Sequence, residues 1–481
     1  MSALWTSSEL ADALKGEVTG KLSEEFHGIS IDSRTAQKGD IFFCIKGDQF
    51  DGHDFAQKAI ENGASVLIVH KNRTKSLYHL ATPMIAVDDV LQGLQNLAKA
   101  ARLRSKAKII AITGSVGKTT TKELLRQSLA TVGKVHANPL SFNNHWGVPL
   151  TLARMPKETD YGVFEIGMNH ANEIRPLVKL VRPDVAIVTQ IAAVHLGFFS
   201  SLEDIADAKA EIFEGMNDNG IVFLNADDAF FSYLRDKALL QGVQTIWCFG
   251  EAAFADYRLE KLHMMSDSSV MKILIRGEEA MVKVGAPGRH IVQNCLAVIG
   301  ACDYVGANLA KIFMALADFK AENGRGARYR LMLPKGGYFT LIDESYNANP
   351  ASMRAALELL KATPKTERGR HIAVLGDMLE LGAHSHKLHL ELLEPIEAAE
   401  VNPIYLIGHE MEALAQVLSK KIQTTYKHNA NDCIEPLVND LLKDDIIMVK
   451  SSNSIGASRI VAALLERYKQ HPDDLKKAVQ T

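Results

Sequence analysis

Residues 107–123 read AKIIAITGSVGKTTTKE, and the organisation of the chain can be worked out from this segment. The β-branched run at 109–113 predicts a buried strand, the glycines that follow predict a tight loop, and a helix is expected to begin near Lys118. Glycine permits backbone conformations with positive φ, which let successive amide N–H groups point at one anion. The segment therefore predicts a phosphate-binding loop at a helix N-terminus.

The loop departs from the strict pattern G-x-x-x-x-G-K-[ST], because Ile112 stands where the first glycine is expected. A glycine-rich turn without a ligand is the alternative, but strand, loop, Lys-Thr pair and helix follow in the order that nucleotide binding requires. Lys118 would reach the outer phosphates, and Thr119 would offer its hydroxyl to Mg²⁺. The residues expected around a nucleoside triphosphate are Gly114, Ser115, Val116, Gly117, Lys118 and Thr119.

Two further polar side chains follow strands that are expected in the same parallel sheet. Glu165 ends the run at 161–166, and His195 follows the run at 184–191. Ligands gather at the carboxyl ends of parallel strands, so we expect both residues beside the phosphates. Taken singly, a surface carboxylate and a core histidine explain them better, but together with the loop and the order of the strands they favour metal ligation.

The chain as a whole has the pattern of an α/β protein. Short β-branched runs alternate with helical stretches from residue 108 onward, as in parallel sheets, whereas residues 257–284 predict antiparallel strands. Polar, glycine-rich residues at 322–326 predict a linker, after which a second βα series begins. We therefore expect three α/β domains, at residues 1–105, 106–322 and 323–481, and a mainly parallel sheet in the middle one.

The composition excludes several classes of protein. Of 481 residues, 47% are hydrophobic and 23% are charged, which is ordinary globular usage. The 54 Lys and Arg against 57 Asp and Glu give a net charge of −3, so bulk attraction to nucleic acid or anionic membranes is not expected. We find no transmembrane run or signal peptide, and five cysteines without a CxxC pair predict thiols in a reducing compartment. We expect a cytoplasmic protein.

Longer motifs throughout the chain resemble those of the Mur ligases of peptidoglycan synthesis. They are SIDSRTAQKGDIFFCIKGDQFDGHDF at 30–55, NNHWGVPLTL at 143–152, FEIGMNHANEI at 164–174, TQIAAVHLGFFSSLEDIADAKAEIF at 189–213, LIDESYNANPASM at 341–353 and VLGDMLELG at 374–382. The resemblance implies a small N-terminal UDP-binding module, a central P-loop ATPase and a C-terminal Rossmann-like domain. The SYNANP and DMLELG segments are most similar to the branch that adds a terminal D-alanyl-D-alanine.

The resemblance implies roles at the nucleotide for residues that the chain's own pattern does not single out. Lys209 matches a lysine that the family carries as a carbamate, which would act with Thr119, Glu165 and His195 at two Mg²⁺ ions. The alternative for Lys209 is a surface lysine in a helical ion pair. Asn294 matches the adenine-binding asparagine, Arg328 the arginine that reaches the γ-phosphate and Asp343 the ribose contact.

The resemblance also implies substrate contacts in all three domains. In the N-terminal module these fall on Ser33, Arg34, Thr35 and Lys46, which would contact the UDP moiety. The central and C-terminal candidates are Asn143, Asn144, Tyr346, Asn347 and Asn349. The implied partners are small molecules only, UDP-N-acetylmuramoyl-tripeptide and D-alanyl-D-alanine, with ATP as the phosphoryl donor and a monomeric enzyme.

The sequence departs from the family pattern at two places. Ile291 replaces an asparagine of the H-N-x-x-N pattern, so one polar contact to adenine is either missing or supplied by Gln293. Lys450-Ser451-Ser452-Asn453 stands where many relatives carry Lys-Gly-Ser-Arg, which leaves the role of that loop in dipeptide binding open.

A histidine cluster at His384, His386 and His389 could be a zinc site, but residues two apart do not share a helix face. We favour a helix start with Ser385 as a possible cap.

The activity that the resemblance implies is ATP-dependent amide formation through an acyl phosphate. Two related activities stay open, the ligase that adds the third amino acid of the peptide and folylpolyglutamate synthetase. A P-loop switch or motor is the alternative from another class, although the N-K-x-D motif of a GTPase is missing from the sequence.

Overall fold

The computed structural model describes residues 3–139, 141–418, 420 and 422–472. Three α/β regions follow one another along the chain, each built around its own sheet. The predicted α/β fold class with three domains is confirmed.

The N-terminal domain is a five-stranded sheet in the order β2-β7-β6-β5-β4, parallel except for β2, beside a two-stranded ribbon of β1 and β3. Its strands are β1 (Trp5–Thr6), β2 (Glu17–Thr19), β3 (Glu25–Phe26), β4 (Gly28–Ser30), β5 (Asp40–Phe43), β6 (Val66–His70) and β7 (Met84–Val87). Its helices are α1 (Ser7–Leu14), α2 (Ala56–Glu61), α3 (Thr74–Leu77) and α4 (Val90–Arg104).

The central domain carries a nine-stranded sheet in the order β16-β15-β14-β13-β12-β11-β8-β10-β9. Its strands are β8 (Lys108–Thr113), β9 (Val135–Ala137), β10 (Tyr161–Glu165), β11 (Val185–Val188), β12 (Ile221–Asn225), β13 (Thr245–Gly250), β14 (Tyr257–Met264), β15 (Ser269–Ile275) and β16 (Glu278–Val284). Its helices are α5 (Lys118–Leu129), α6 (Gly147–Ala153), α7 (Ile174–Val181), α8 (Leu202–Ala210), α9 (Phe231–Leu240), α10 (Arg289–Tyr304) and α11 (Leu309–Ala317). The pairs β14–β15 and β15–β16 are antiparallel, as predicted.

The C-terminal domain is a six-stranded sheet in the order β17-β18-β22-β19-β20-β21, parallel except for β17. Its strands are β17 (Ala327–Met332), β18 (Tyr338–Glu344), β19 (His371–Gly376), β20 (Val401–Ile407), β21 (Thr424–Lys427) and β22 (Ile446–Lys450). Its helices are α12 (Pro350–Ala362), α13 (Ser385–Leu390), α14 (Leu393–Ala398), α15 (Met411–Leu418), α16 (Asn431–Asp440) and α17 (Ser458–Arg467).

The strand β8 shows why the central runs are continuously apolar. Successive side chains of a strand point to opposite faces, and here both faces are covered. Ile109 and Ala111 enter the core shared with the N-terminal domain, whereas Ile110 and Ile112 enter the core under α5 and α10. Burial on both sides fixes β8 in the middle of the sheet, between β11 and β10, so its carboxyl end lies beside theirs.

The N-terminal domain is also tied to the central one by hydrogen bonds. Trp5 Nε1 donates to Ala153 O at 2.9 Å, and Arg154 Nε donates to Ile29 O at 2.7 Å. Because Ile29 lies in β4, these contacts place β4 next to the C-terminal end of α6.

Candidate active site between the central and C-terminal domains

The loop at 114–117 connects β8 to α5, and the predicted helix start at Lys118 is confirmed. Gly114 has φ 143° and Gly117 has φ 85°. A Cβ on Gly114 would lie 1.9 Å from Thr189 Oγ1, and one on Gly117 would lie 2.7 Å from Asn294 Oδ1. Both positions therefore require glycine for its backbone and for its lack of a side chain.

Ser115 ties this loop to the segment after β11. Its hydroxyl donates to Ala192 O at 3.0 Å and accepts from Ala192 N at 2.9 Å. Lys118 Nζ folds back over the loop and donates to Gly114 O at 2.7 Å. Burial, and then the nearby Arg325, lower the pKa of Lys118, against the opposing effect of Glu165. A bound phosphate would place a negative charge beside this ammonium.

Thr119 and Glu165 meet at the carboxyl ends of the adjacent strands β8 and β10. Thr119 Oγ1 donates to Glu165 Oε2 at 2.8 Å, and both residues are buried. Asn143 Nδ2 donates to Glu165 Oε1 at 2.7 Å, and the Glu165 amide donates to Asn138 Oδ1 at 2.8 Å. Within the described ranges, no cationic side chain is hydrogen-bonded to this buried carboxylate. Together with the Thr119 hydroxyl it offers oxygen ligands that suit Mg²⁺.

In the described part of the chain, no three His, Cys, Asp or Glu side chains group closely enough to hold a metal ion. The oxygens of Thr119 and Glu165 still fit Mg²⁺, because this ion keeps several waters and binds through one or two protein ligands plus phosphates.

His195 lies on the loop after β11, seven residues beyond the strand end, because β11 stops at Val188 rather than at Ile191. The strand ends early since Thr189 turns toward the phosphate loop, where its hydroxyl donates to Val116 O. His195 Nδ1 lies 2.5 Å from Glu380 Oε2 of the C-terminal domain. Burial lowers the pKa of His195, as do Lys209 and Lys118, while Glu380 opposes them.

Lys209 lies in the last turn of α8 and is 1% exposed. Among the described residues, its ammonium has neither a hydrogen-bond partner nor an ion pair. Burial lowers the pKa of Lys209 well below its ordinary value, and the Lys118 charge lowers it further. The structure thus excludes the alternative of a surface lysine in a helical ion pair, because the side chain is buried.

Asn294 contacts the phosphate loop from α10 and lines the same cavity as Lys118. Gln293 also lines this cavity, and its Nε2 donates to Asp227 Oδ2 at 3.1 Å. Ile291 is 3% exposed and packs in the core, so it makes no polar contact with a nucleotide. Gln293 is therefore the neighbouring amide available to replace the missing asparagine.

Two arginines lie in or just after the glycine-rich segment at 322–326, which we call the hinge. Arg325 lines the cavity, and Arg328 does not. Arg325 donates to Ser141 Oγ at 3.2 Å and stacks with its Cζ 4.1 Å from the centroid of the Tyr346 ring. Arg328 instead donates to Ser266 O and to Thr363 Oγ1, and burial lowers its pKa to about 10. Arg325 therefore lines the cavity that contains the phosphate loop, whereas Arg328, for which a γ-phosphate contact was expected, does not.

Asp343 holds the hinge backbone. Its Oδ2 accepts from Gly324 N at 2.7 Å, and its Oδ1 accepts from Ser345 N and the Ser345 hydroxyl. Asp343 is 3% exposed and does not line the cavity. In this structure its carboxylate therefore contacts the hinge backbone, whereas a contact with the ribose was expected.

The SYNANP segment faces the phosphate loop, and Tyr346, Asn347 and Asn349 all line the cavity. Tyr346 donates its hydroxyl to Ser141 Oγ at 2.9 Å, and Asn349 caps α12 through Ser352 N. Lys450, at the end of β22, donates to Asn347 O at 3.0 Å and to Glu344. Sequence reasoning did not assign Lys450 a role, although its place at a parallel strand end could have indicated one.

The two buried serines in the loop after Lys450 make hydrogen bonds within the protein. Ser451 donates to Ser452 O at 2.9 Å, and Ser452 Oγ accepts from Leu379 N at 2.9 Å. Asn453 is exposed.

In the N-terminal domain, Ser33, Arg34, Thr35 and Lys46 gather on the loops after β4 and β5. The exposed Arg34 forms an ion pair with Asp32, and the backbone of Lys46 forms an isolated antiparallel β-bridge with that of Asp51. Asn144 caps α6 and does not line the cavity between the domains, because its Oδ1 accepts from Gly147 N. The ring of Trp146 lies against Gly47, since a Cβ there would be 2.8 Å from it.

The three histidines after the DMLELG segment form no metal site. His389 is buried, with Nε2 accepting from Met378 N at 2.9 Å and Nδ1 2.8 Å from Ser385 O. Both ring nitrogens are thus satisfied by backbone. The helix start is confirmed by α13, but Ser385 is the first residue of the helix and not its cap, because its hydroxyl donates to Glu410.

The central and C-terminal contributions enclose one cavity of about 390 Å³. It brings together the phosphate loop, Glu165, His195, Asn294 and the SYNANP segment. Such a cavity has room for phosphates beside a carboxylate and an amine. No helix among the described residues is both long and apolar enough to cross a bilayer.

Three family models match the chain: "Mur ligase family, catalytic domain" at 25–102, "Mur ligase middle domain" at 112–302 and "Mur ligase, glutamate ligase domain" at 328–453. The UDP-N-acetylmuramoyl-tripeptide–D-alanyl-D-alanine ligase of Rickettsia prowazekii is 32% identical, over 95% of this chain and 99% of that protein. MurF from Acinetobacter baumannii has a TM-score of 0.83 at 28% identity, over 96% of this chain and 99% of that one. MurF from Thermotoga maritima, solved in complex with ADP, has a TM-score of 0.77 at 26% identity, over 92% and 98%. The chain therefore belongs to the Mur ligase family.

Proposed function

We propose that this protein is an ATP-dependent ligase that joins D-alanyl-D-alanine to UDP-N-acetylmuramoyl-tripeptide in peptidoglycan precursor synthesis. The observation that carries the proposal is the shared cavity, in which the phosphate loop faces the SYNANP segment. A full-length relative carries the name of that ligase, and a structural neighbour was solved with ADP. We include in the proposal the domain ranges 1–105, 106–322 and 323–481, with UDP contacts in the first.

In this reaction, an oxygen of the tripeptide carboxylate attacks the γ-phosphorus of ATP, and ADP leaves. The amine of the dipeptide then attacks the acyl phosphate, phosphate leaves with the C–O electrons, and the nitrogen loses one proton to the released phosphate or to water as the amide forms. The first step brings an anion to a polyanion, so the cationic groups of Lys118 and Arg325 and the N-terminus of α5 have to offset the repulsion. Closure of the C-terminal domain keeps water from the acyl phosphate.

Mg²⁺ would neutralise the phosphate oxygens and orient the γ-phosphate. Thr119 and Glu165 would hold one ion, and His195 with a modified Lys209 would hold or organise a second. Asn294 and Gln293 would contact adenine. Tyr346, Asn347 and Asn349 would position the dipeptide.

The distinguishing assay measures ADP release with the tripeptide nucleotide, with and without D-alanyl-D-alanine. A ligase releases ADP steadily only when the dipeptide is present, because the acyl phosphate otherwise has no acceptor. Release that ignores the dipeptide would favour a switch or motor, and release that requires a single amino acid would favour a related ligase.

We further propose that Lys209 is a carbamate. Only a neutral amine attacks CO₂, and burial together with the Lys118 charge lowers the pKa of Lys209, which favours the neutral amine. The new C–N bond forms with loss of a proton, so a buried amine becomes an anion near Lys118 and His195. The anion would be attracted to the Lys118 ammonium and would supply oxygen ligands.

This modification has a spectroscopic test. With ¹³C-bicarbonate, we expect one protein-bound carbamate resonance that Lys209→Ala removes and the exposed-lysine control Lys134→Ala keeps. Stripping CO₂ at about pH 6 should lower turnover at least about tenfold, with recovery on adding bicarbonate. A wild-type spectrum without a carbamate signal would contradict the proposal.

We place the enzyme in the cytoplasm. The five cysteines are all buried and unpaired, as expected of a chain kept in a reducing compartment.

A further inference from the structure

The contact between His195 and Glu380 joins two domains. His195 follows β11 of the central sheet, and Glu380 lies in the DMLELG segment after β19 of the C-terminal sheet. Besides the 2.5 Å contact between Nδ1 and Oε2, Gly197 N donates to Glu380 O at 2.9 Å. The same C-terminal loop is therefore held by one side-chain and one backbone hydrogen bond.

The backbone around this contact is specialised on both sides. His195 has φ 55° and Glu380 has φ 63°. These are left-handed backbone conformations that residues other than glycine rarely adopt. Gly382 packs so closely on Gly197 that an added Cβ would lie 2.9 Å from Gly197 Cα. Rare conformations persist when the surrounding structure over-determines them, and they cluster at functional sites.

The carboxylate also decides which ring nitrogen is free. An ionised carboxylate only accepts hydrogen bonds, so the nitrogen facing it must carry the proton. With Nδ1 protonated, the lone pair of His195 is on Nε2. A histidine that binds metal through one nitrogen almost always donates its other N–H to such a partner, which fixes the ring and raises its basicity.

We propose that Glu380 is a positioning residue, which presents His195 Nε2 to the phosphate site only while the C-terminal domain is docked. The inference rests on the proposed function, because in that reaction the lone pair on His195 Nε2 would bind a metal ion. Docking of the domain that carries the SYNANP segment would thereby complete the phosphate site at the moment when the acceptor can be present.

The test combines kinetics with a measurement that does not depend on ligation. In ¹⁵N-histidine NMR, with His195 assigned by its loss in His195→Gln, we expect Nδ1 protonated and Nε2 bare in the wild type. Glu380→Ala should release the ring to a mixture of tautomers, and Glu380→Gln should give an intermediate population. The hydrogen bond from Gly197 N to the backbone carbonyl of residue 380 persists in each variant. The free-energy cost of the positive φ is similar in alanine and glutamine, so the comparison isolates the effect of the carboxylate.

In turnover, Glu380→Ala should lower kcat about 10- to 100-fold with KM for the nucleotide tripeptide within about threefold. The control Glu391→Ala removes an exposed carboxylate that pairs with Arg354, and should leave both parameters unchanged. The same tautomer in Glu380→Ala as in the wild type, or a protonated Nε2 in the wild type, would overturn the inference. If Glu380→Ala fails to fold, an unchanged tautomer in Glu380→Gln with unchanged kcat overturns it equally. If the NMR shows the expected single tautomer of His195 but the protein has no ligase activity, the inference stands and the proposed function is refuted.

Discussion

Replacing Lys118 by alanine is expected to lower ADP formation about 1,000-fold or more, because this ammonium is the cation that folds over the phosphate loop. The loss falls on both the affinity for ATP and the transfer step, since the charge on the outer phosphates is larger in the transition state. Isothermal calorimetry with ATP and coupled ADP release measure the two effects separately.

The fold should tolerate this change. Lys118 contributes one hydrogen bond to Gly114 O, worth about 1 kcal/mol, and its removal also relieves a partly buried cation. Lys134→Ala, at an exposed position, is the matched control and should turn over like the wild type. Near wild-type ADP formation in Lys118→Ala would refute the phosphate-loop assignment.

Arg325→Ala should lower kcat about 100- to 1,000-fold, because Arg325 is an arginine in the cavity close enough to Lys118 to lower its pKa. The guanidinium is held by Ser141 and by the Tyr346 ring, one from each of the two domains, so it is positioned only when they are docked. Steady-state kinetics with saturating tripeptide nucleotide and dipeptide measure the effect.

Arg328→Ala provides the contrast. Its side chain bonds Ser266 and Thr363 outside the cavity, and its Nε has no hydrogen-bond partner among the described residues. We expect a lower melting temperature, with affinity for ATP within about threefold of the wild type. The reverse outcome, a large loss of turnover in Arg328→Ala and a small one in Arg325→Ala, would return the γ-phosphate role to Arg328.

The comparison of the two arginines shows where sequence reasoning stops. The phosphate loop, the start of α5 at Lys118 and the antiparallel strands after residue 257 follow from local rules, because glycine φ, helix caps and strand alternation act over a few residues. Which of two arginines three positions apart faces a cavity depends on how the hinge at Gly324 is held by Asp343, which is a tertiary contact.

His195 and Lys450 illustrate the same limit. His195 lines the same cavity as the phosphate loop, but its partner Glu380 lies 185 residues away in another domain. Lys450 was noticed only as part of a motif, because its contact with Asn347 exists once β22 has inserted between β18 and β19.

The acyl phosphate is the centre of this account, and oxygen transfer tests it most directly. The tripeptide nucleotide is labelled with ¹⁸O in its terminal carboxylate, ligation is run to completion, and the inorganic phosphate is analysed by mass spectrometry. The account predicts one ¹⁸O atom in each phosphate released, because the carboxylate oxygen that attacks the γ-phosphorus leaves with it. Phosphate without the label would contradict the account.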